Sequence, residues 1–422
     1  MHGKLRSEEK RRLADDCVHC GFCLPTCPTY VLWNEEMDSP RGRIDLMSGH
    51  LDGALELNAT VVQHFDRCLG CMACLTSCPS GVAYDRLIES TRAEIEEAHS
   101  RPLRERAMRA LVFAVLPHPA RLRAALTLER LGRWVPLPAQ LAPLRELAPP
   151  WRSRARPPAV TAAQGPAVAR VGLLTGCVQR VLFGDVNAAT ARVLAADGIE
   201  AVVPAKQACC GALSVHAGRL EEGLERARRL IATFERAEVD YVVTNAAGCG
   251  SMLKEYGTLL TDDPEYAERA ASFATSVRDV AELLVELGPR AERNPLPLDM
   301  AFQDSCHLLH AQRVREAPRS LLDGVPELRT REPAEQELCC GSAGIYNITQ
   351  PEAARELGER KAANVLACQP DAYASGNPGC LVQVSGALRR AGRPLPALHP
   401  VEVVDASIRG ISAQDLLAAA RR

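Results

Sequence analysis

The chain has 422 residues, of which 47 % are hydrophobic, 24 % charged and 4 % aromatic, and its formal net charge is −2. This balance is typical of a soluble chain of two or three domains. It excludes a nucleic-acid-binding protein, which needs a basic face and stacking rings. No apolar run reaches the roughly 18 residues of a membrane span, and the polar N-terminus lacks the apolar stretch of an export signal. We therefore expect a cytoplasmic protein, or one attached peripherally to the inner face of the cytoplasmic membrane.

Two cysteine-dense stretches come first in the chain. Residues 17–28 read CVHCGFCLPTCP and residues 68–79 read CLGCMACLTSCP. In a reducing compartment, spaced cysteines more often bind metal than form disulfides. Cys-x2-Cys-x2-Cys-x3-Cys-Pro is the bacterial ferredoxin pattern for [4Fe–4S] clusters, in which the fourth cysteine binds the other cluster. We predict cluster one on Cys17, Cys20, Cys23 and Cys78, and cluster two on Cys27, Cys68, Cys71 and Cys74.

This crosswise sharing of ligands predicts a path for electrons. Cys23 and Cys27 would hold different clusters but are only four residues apart, which places the clusters roughly a dozen ångströms from each other. One alternative is a pair of zinc sites, although zinc needs only four ligands per ion and gives no reason for the repeated Cys-x3-Cys-Pro. The other is a pair of clusters that serve only structure.

The residues between the two motifs predict a helical ferredoxin domain over residues 1–100. Ser39 stands before Pro40 as the cap of one helix, and Asn58 is the cap of the next. Arg41 and Arg43 either offset the negative charge of a thiolate-bound cluster or are solvated at the helix start.

Residues 101–165 differ in composition from what precedes them. Segment 101–156 contains 12 Arg, no Lys and 3 acidic residues. It predicts short helices followed by a linker. The arginines are either solvated or contact anionic lipid or an acidic partner surface.

From residue 166 onwards, strand and helix patterns alternate, which predicts parallel sheets with crossover helices. Four cysteines recur at offsets of 129, 130, 130 and 131 residues, which indicates an internal repeat. We predict an α+β chain in which the helical ferredoxin domain is followed by two α/β units with short parallel sheets, at 166–292 and 293–422. Thr349 and Glu352 have the spacing of a capping box in the second unit.

Each unit carries a Cys-Cys-Gly triplet, so we call it a CCG unit. Its cysteines follow predicted strands, and the carboxyl ends of parallel strands share one edge of a sheet. Gly211 and Gly341 would allow tight turns there. Each quartet could hold a further iron–sulfur cluster, or could instead bind zinc or stay metal-free. The candidate metal sites are Cys177, Cys209, Cys210 and Cys249 in the first unit, and Cys306, Cys339, Cys340 and Cys380 in the second.

Three histidines accompany the CCG cysteines. His307 and His310 in DSCHLLH either bind metal or relay protons, or simply pack and cap, which is the reading that we favour. His216 has no counterpart at the matching point of the second unit, which weakens a functional interpretation.

The combination of motifs resembles a known family, the iron–sulfur subunits of bacterial glycolate oxidase. The resemblance is carried by CVHCGFCLPTCPTY, SPRGRIDLM, CLGCMACLTSCPSGVAYDRLIE, CCGALSVHAG, DSCHLLHAQ and CCGSAGIYN. It implies a hetero-oligomer with FAD-binding subunits that oxidises glycolate to glyoxylate and passes electrons to the quinone pool or another membrane acceptor.

Related CCG proteins leave two alternatives. One is the equivalent subunit of a D-lactate or an anaerobic glycerol-3-phosphate dehydrogenase. The other is a thiol–disulfide enzyme like heterodisulfide reductase, whose CCG units end in Cys-x-x-Cys. Met252 and Gln383 occupy the final positions here, so the fifth thiol is missing from both units, and this argues against disulfide chemistry.

The sequence predicts no catalytic residue for hydroxy-acid oxidation. Removing a hydride requires a two-electron acceptor such as a flavin, because iron–sulfur clusters accept one electron at a time. The chain has no Gly-x-Gly-x-x-Gly dinucleotide fingerprint and no base that we can assign to a substrate. We therefore expect FAD on partner subunits only, and no hydroxy-acid oxidation by the isolated chain.

Overall fold

The computed structural model describes residues 4–131 and 155–421. It has a mixed α+β fold, with an N-terminal helical domain followed by two α/β units. The helices of the N-terminal part are α1 (Ser7–Asp15), α2 (Pro28–Trp33), α3 (Pro40–Leu51), α4 (Ala59–Arg67), α5 (Ala73–Ser77), α6 (Tyr84–Ala98), α7 (Leu103–Val115) and α8 (Pro119–Leu131). A short 3-10 turn, Glu36–Asp38, precedes α3.

Two predicted caps start helices of this domain. The Ser39 hydroxyl accepts a hydrogen bond from the Gly42 N–H at the start of α3, and the Asn58 side chain accepts from the Thr60 and Val61 N–H groups at the start of α4. Each cap satisfies backbone donors that have no partner in the first helical turn. The two helices bring the second cysteine motif back against the first.

The first α/β unit contains a five-stranded sheet in the order β1-β3-β2-β4-β5. Strands β2 to β5 are parallel, and β1 pairs antiparallel with β3, inside the segment predicted as a linker. Residues 132–154 of the segment 101–165, predicted as short helices and a linker, lie outside the described residues. The elements are β1 (Val160–Thr161), β2 (Ala169–Leu174), α9 (Gln179–Leu182), α10 (Gly184–Ala196), β3 (Ile199–Val202), α11 (Ala212–Val215), α12 (Leu220–Glu235), β4 (Tyr241–Thr244), α13 (Ala247–Leu259), α14 (Ala267–Ser276), β5 (Val277–Asp279) and α15 (Val280–Leu287).

The second unit contains a four-stranded, wholly parallel sheet in the order β7-β6-β8-β9. A π-helical turn at His307–Ala311 follows β6. The other elements are β6 (Leu298–Gln303), α16 (Glu316–Asp323), β7 (Leu328–Arg331), α17 (Tyr346–Thr349), α18 (Pro351–Ala367), β8 (Ala372–Ser375), α19 (Pro378–Arg390), β9 (Ala397–Leu398), α20 (Pro400–Ile408) and α21 (Ala413–Arg421).

The predicted capping box at Thr349 is wrong. Thr349 is the last residue of α17, and its hydroxyl donates to the carbonyl of Ile345. Helix α18 begins at Pro351, and its cap residue, Gln350, makes no side-chain capping bond. Thr349 cannot cap α18 because it already belongs to the preceding helix.

One hydrophobic core joins the two α/β units, since strands and helices of both sheets contribute to it. Arg192 on α10 and Asp405 on α20 add a two-pronged ion pair across the junction, with N–O distances of 2.9 and 2.6 Å. The carboxyl ends of the central strands are thereby held in fixed positions relative to each other.

Candidate metal centres

The two ferredoxin motifs have the same backbone course. The residue before the second cysteine has a positive φ in both, 54° at His19 and 64° at Gly70, and so has the residue after it, 84° at Gly21 and 64° at Met72. Left-handed residues at alternate positions turn the chain tightly. Both loops therefore turn tightly on either side of their second cysteine.

The structure places the eight motif cysteines in two groups. Burial raises the pKa of Cys17, and the Cys78 and Cys20 thiols raise it further. Burial likewise holds the pKa of Cys74 well above its ordinary value, and the Cys71, Cys68, Cys27 and Cys23 thiols raise it further. Cys23 contacts both groups, since Cys27 and Cys17 each help to raise its pKa to about 11. Cys78 is therefore a neighbour of Cys17, and Cys27 is a neighbour of Cys74.

The two groups differ in exposure. Cys20 is exposed and Cys17, Cys23 and Cys78 are half-buried, whereas all members of the other group are buried. A centre on the first group would lie near the surface, and one on the second group would lie inside the protein.

Positive charge surrounds the buried group. Burial alone would raise the pKa of the Cys68 thiol, but the guanidinium groups of Arg43 and Arg92 and the Gly70 N–H, 3.4 Å from Sγ, hold it below its ordinary value. Thiolates are the form that binds iron, and N–H donors to sulfur stabilise cluster ligands. This all-thiol donor set with charge compensation fits a [4Fe–4S] cluster.

Arg43 is not a solvated residue at a helix start. Its side chain is 1 % exposed and donates to the backbone carbonyl of His64 at 2.6 Å and to the Thr29 hydroxyl at 3.2 Å. The carboxylate of Asp38, which is fully buried, forms ion pairs with both Arg43 and Arg67. Arg41, in contrast, pairs with Glu36 nearer the surface. Arg43 therefore compensates thiolate charge inside the protein, beside Cys68, whereas Arg41 lies nearer the surface beside Cys23.

Each CCG quartet also converges at the carboxyl edge of its sheet. Cys177 Sγ lies 3.3 Å from Cys209 Sγ, and the neighbouring Cys209 and Cys249 thiols, together with burial, raise the pKa of Cys210 well above its ordinary value. In the second unit the same chain of contacts runs through Cys306, Cys339, Cys340 and Cys380, starting with an Sγ–Sγ distance of 4.0 Å.

The first cysteine of each adjacent pair has an unusually acidic thiol. Hydrogen bonds from two neighbouring thiols hold the pKa of Cys209, and likewise that of Cys339, well below the ordinary value.

Within residues 4–131 and 155–421, no three Cys, His, Asp or Glu side chains form a group spaced to hold a single metal ion.

The second CCG quartet lies directly against the ferredoxin domain. Burial, and next the Cys339 thiol, hold the pKa of Cys71 well above its ordinary value. Cys71, Cys339 and Cys306 belong to one hydrophobic cluster shared by the two domains. His307 Nε2 donates to the carbonyl of Gly70 at 2.9 Å across the same junction. The buried ferredoxin group and the second quartet are therefore neighbours.

The histidines predicted to accompany the cysteines make protein contacts. His310 Nε2 donates to the Glu337 carbonyl at 3.0 Å, and its Nδ1 lies 2.7 Å from the Thr76 hydroxyl. His310 thus acts as a packing residue that links α5 to the second unit. His216, which the sequence ranked lowest, stacks edge-on against His307 with ring centroids 5.3 Å apart.

Sequence reasoning missed the residues that reach His216 from the ferredoxin domain. Glu89 Oε1 lies 2.8 Å from His216 Nδ1, and Arg92 donates to the backbone carbonyls of His216 and Cys68. Both residues lie on α6, one turn apart, in the stretch GVAYDRLIESTR that follows the second motif. Nothing in that stretch indicates a partner 124 residues further along the chain.

Comparison with known proteins agrees with these features. A family model described as a 4Fe-4S dicluster domain matches residues 13–82, and one described as a cysteine-rich domain matches residues 171–254 and 300–385. A solved structure of a hypothetical protein from Helicobacter pylori has the same fold, with a TM-score of 0.53 at 9 % identity, over 89 % of this chain and 74 % of that one.

No helix within the described ranges has the length and apolar character needed to cross a bilayer.

Curated relatives match along the whole chain. A protein of Bacillus subtilis named probable glycolate oxidase iron-sulfur subunit is 38 % identical, over 92 % of this chain and 93 % of the relative. The glycolate oxidase iron-sulfur subunit of Escherichia coli is 37 % identical, over 97 % of both chains. Lactate utilization protein A of Oceanobacillus iheyensis is 30 % identical over 57 % of this chain. With its ferredoxin motifs and two CCG units, the chain belongs to the family of glycolate oxidase iron–sulfur subunits.

Proposed function

We propose that this chain is the electron-transfer subunit of a flavin-dependent dehydrogenase that oxidises glycolate to glyoxylate. The observation that carries the proposal is the pair of ferredoxin motifs, which match a 4Fe-4S dicluster domain and whose eight cysteines divide into four exposed or half-buried residues and four buried ones. The near-full-length similarity to glycolate oxidase subunits supports the choice of substrate. Lactate is the alternative substrate, and the similarity to lactate utilization protein A favours it less because it covers little more than half of the chain.

The chain's residues would hold two [4Fe–4S] clusters, with the assignment predicted from the motifs. Such clusters supply one-electron acceptors, which suit a flavin that has taken a hydride from its substrate. The half-buried cysteine group offers an entry near the surface, and the buried group lies beside the second CCG quartet. We propose that the quartets bind further iron–sulfur clusters that extend this path, and that FAD is bound by partner subunits.

Metal analysis and turnover test this proposal together. We expect the anaerobically purified chain to hold at least about eight irons, with sulfide to match, and to show reversible cluster reduction by electron paramagnetic resonance. The isolated chain should not oxidise glycolate with a dye acceptor, because the hydride acceptor is a flavin. Co-expression with flavin-binding subunits should restore turnover. Zinc in place of iron, or turnover by the isolated chain, would contradict the proposal.

The surface beside Cys20 is the candidate contact for the flavin subunit. Val18 and Phe22 flank this exposed cysteine, and their side chains are 66 % and 65 % exposed. Exposed aromatic and aliphatic side chains are typical centres of protein interfaces. A partner seated there would bring its flavin near the first cluster.

Replacing Phe22 with aspartate should therefore weaken binding to the flavin subunits by at least about tenfold, since removing an interface centre typically costs more than 1 kcal/mol. Co-purification and analytical ultracentrifugation measure the loss. Val285→Asp, at a second exposed apolar position far along the chain, is the matched control and should not change binding. Equal binding by the Phe22 variant would place the interface elsewhere.

A further inference from the structure

A cavity of about 500 Å³ lies where the ferredoxin domain meets both CCG units. Its lining comes from the second cysteine motif, from α6 and α7, and from the segments that follow the cysteine pair of each CCG unit. Apolar side chains form a large part of the wall, namely those of Leu69, Met108, Leu213, Ile345 and Ile348. A cavity of this size and character holds a small organic molecule rather than a single ion.

The lining of this cavity carries more positive than negative charge. Its charged residues are four arginines and two acids, namely Arg92, Arg101, Arg104, Arg109, Asp66 and Glu105. The two histidines of the lining, His216 and His307, are neutral at pH 7 because burial lowers the pKa of each, that of His307 to about 4. Two positive charges of the lining are therefore in excess.

Nearby groups compensate this charge only in part. Glu96, outside the lining, pairs with both Arg101 and Arg109, which still leaves one positive charge in excess. Among residues 4–131 and 155–421, Arg92 donates only to backbone carbonyls and Arg104 forms no ion pair. Burial, and next the charge of Arg101, lower the pKa of Arg109. An anion in the cavity would offset this repulsion between guanidinium groups.

Four buried polar atoms of lining residues have no hydrogen-bond partner in the part of the chain that the structure describes. They are Nε of Arg109, the hydroxyl oxygen of Tyr346, Nδ1 of His307 and Nε2 of His216. Tyr346 is only 4 % exposed, so bulk water does not replace the missing partner of its hydroxyl. Buried polar atoms in proteins are normally paired, and an unpaired set around one cavity therefore indicates a ligand.

These atoms define the groups that the ligand must offer. Arg109 Nε and the Tyr346 hydroxyl both donate, so the ligand needs two acceptor oxygens. His307 already donates from Nε2 to the Gly70 carbonyl at 2.9 Å, which leaves Nδ1 of the neutral ring as an acceptor. The ligand therefore also needs a hydroxyl group that donates. Two free donors match the two oxygens of a carboxylate better than the three oxygens of a phosphate.

We propose that this cavity binds a hydroxy carboxylate with an apolar side group, whose carboxylate is held by Arg109 and Tyr346 and whose hydroxyl donates to His307. The leucine, isoleucine and methionine side chains of the wall contact the apolar group. The ligand is bound here and is not chemically changed, because the proposed function assigns hydride removal to the flavin subunits. Glycolate lacks an apolar group and fits this site poorly.

The ligand should also affect the buried cluster, and this part of the inference rests on the proposed function. Cys68 belongs to the cavity lining, and the proposed function assigns it to that cluster. The negative charge of a bound carboxylate disfavours the extra electron of a reduced cluster. The ligand should therefore lower the potential of the buried cluster, and reduction should weaken ligand binding by the same factor.

Binding is tested by anaerobic calorimetry on the full chain with its clusters, with 3-phenyllactate as the probe. 3-Phenylpropionate, which lacks only the hydroxyl, should bind about 3- to 10-fold more weakly through one lost hydrogen bond. 2-Phenylethanol lacks the carboxylate and glycolate lacks the apolar group, and each should bind at least about tenfold more weakly. No binding of 3-phenyllactate would overturn the site. Equal binding of 3-phenylpropionate would overturn the hydroxyl assignment, and tighter binding of phenyl phosphate would overturn the choice of a carboxylate.

Three variants locate the bound probe. Tyr346→Phe should weaken binding of 3-phenyllactate about 3- to 10-fold, and Arg109→Gln at least about tenfold, since it removes a charged donor. Arg106→Gln, at an exposed position of α7 outside the lining, is the matched control and should bind as the native chain does. Cluster absorbance and thermal unfolding verify that each variant is folded. Tyr346→Phe keeps the buried ring, and unchanged binding by this folded variant would overturn the assignment to this cavity.

The effect on the cluster is tested by redox titration followed by electron paramagnetic resonance, with and without saturating 3-phenyllactate. We expect about threefold weaker binding to the reduced chain, which corresponds to a fall of about 30 mV in the potential of the buried cluster. The potential of the cluster near the surface should not change. Binding that leaves both potentials unchanged would overturn the link between ligand and cluster.

Failure of this site and failure of the proposed function are distinguishable. A chain whose clusters reduce reversibly, but which does not bind 3-phenyllactate, would overturn the site and leave the proposed function standing. A chain without reducible clusters would overturn the proposed function, while calorimetry with the probe and its variants still decides whether the cavity binds a hydroxy carboxylate.

Discussion

Replacing Cys78 with serine should remove the cluster of the first motif, although Cys78 belongs to the second. In the structure Cys78 lies beside Cys17, whereas the other three cysteines of its own motif gather with Cys27. Iron should fall from about eight to about four per chain in the ferredoxin domain. The remaining signal should be that of the buried cluster, because Cys27, Cys68, Cys71 and Cys74 stay intact.

Two further variants complete this experiment. Cys27→Ser should remove the buried cluster and retain the exposed one, although it alters the first motif. Cys368→Ser changes a half-buried cysteine outside every group and should leave iron unchanged. Iron, sulfide and electron paramagnetic resonance spectra measure all three. If Cys78→Ser lost the signal of the buried cluster and Cys27→Ser that of the exposed one, each motif would hold its own cluster and the crosswise assignment would be wrong.

The two cysteine-dense loops of a 4Fe-4S dicluster domain were predictable from sequence because the pattern of each loop is local. A cluster needs three ligands within a short loop, and the positive φ angles at His19 and Met72 show how tightly that loop turns. The proximity of Cys71 to Cys339 was not predictable. It arises from the packing of two domains whose contact surfaces consist of ordinary residues such as Leu69, Leu338 and Tyr346, and no local spacing encodes such a meeting.

The contacts of the arginine-rich segment, residues 101–156, were not predictable from the sequence either. Its composition indicated either solvated side chains or a charged contact surface, but Arg101 is bound by Asp66 of α4, with N–O distances of 2.7 and 3.0 Å. Arg109 donates to the carbonyl of Ala217 at 2.8 Å. Two of its arginines therefore fix α7 against the ferredoxin domain and the first CCG unit. Charge composition alone does not distinguish such internal pairing from solvation.

Two of the three helix caps predicted from the sequence are confirmed, and the third is wrong. Ser39 and Asn58 were identified because each stands directly before a helix whose first turn needs an acceptor. Thr349 has the same residue type and a suitable spacing to Glu352, but the chain already forms a helical turn there. Local spacing identifies a cap only where the cap residue itself has an extended backbone, as Ser39 and Asn58 have and Thr349 has not.

Replacing Gly341 with alanine should destabilise the second CCG unit strongly. Gly341 follows the cysteine pair with a φ of 87°, and a Cβ there would lie 2.8 Å from the carbonyl oxygen of Ala354 on α18. The left-handed backbone costs a non-glycine residue about 1–2 kcal/mol, and the clash with a backbone atom adds about 1–3 kcal/mol. Gly211 has the same φ and a matching contact of 2.9 Å, so the tight turn is a property of both CCG units.

Gly392→Ala separates the two costs. Gly392 also has a positive φ, of 69°, but nothing lies within 4 Å of its Cβ position. Gly392→Ala should be destabilised only by the backbone cost of about 1–2 kcal/mol. The thermal unfolding midpoint of Gly341→Ala should therefore be lower than that of Gly392→Ala, and the gap between the two midpoints measures the clash. Gly341 also lies two residues after Cys339, which is a neighbour of Cys71. A displaced turn in Gly341→Ala should therefore change the spectrum of the buried cluster. Gly392→Ala should leave that spectrum unchanged. Equal unfolding midpoints would show that the α18 backbone yields and that close approach is not what requires glycine after the cysteine pair.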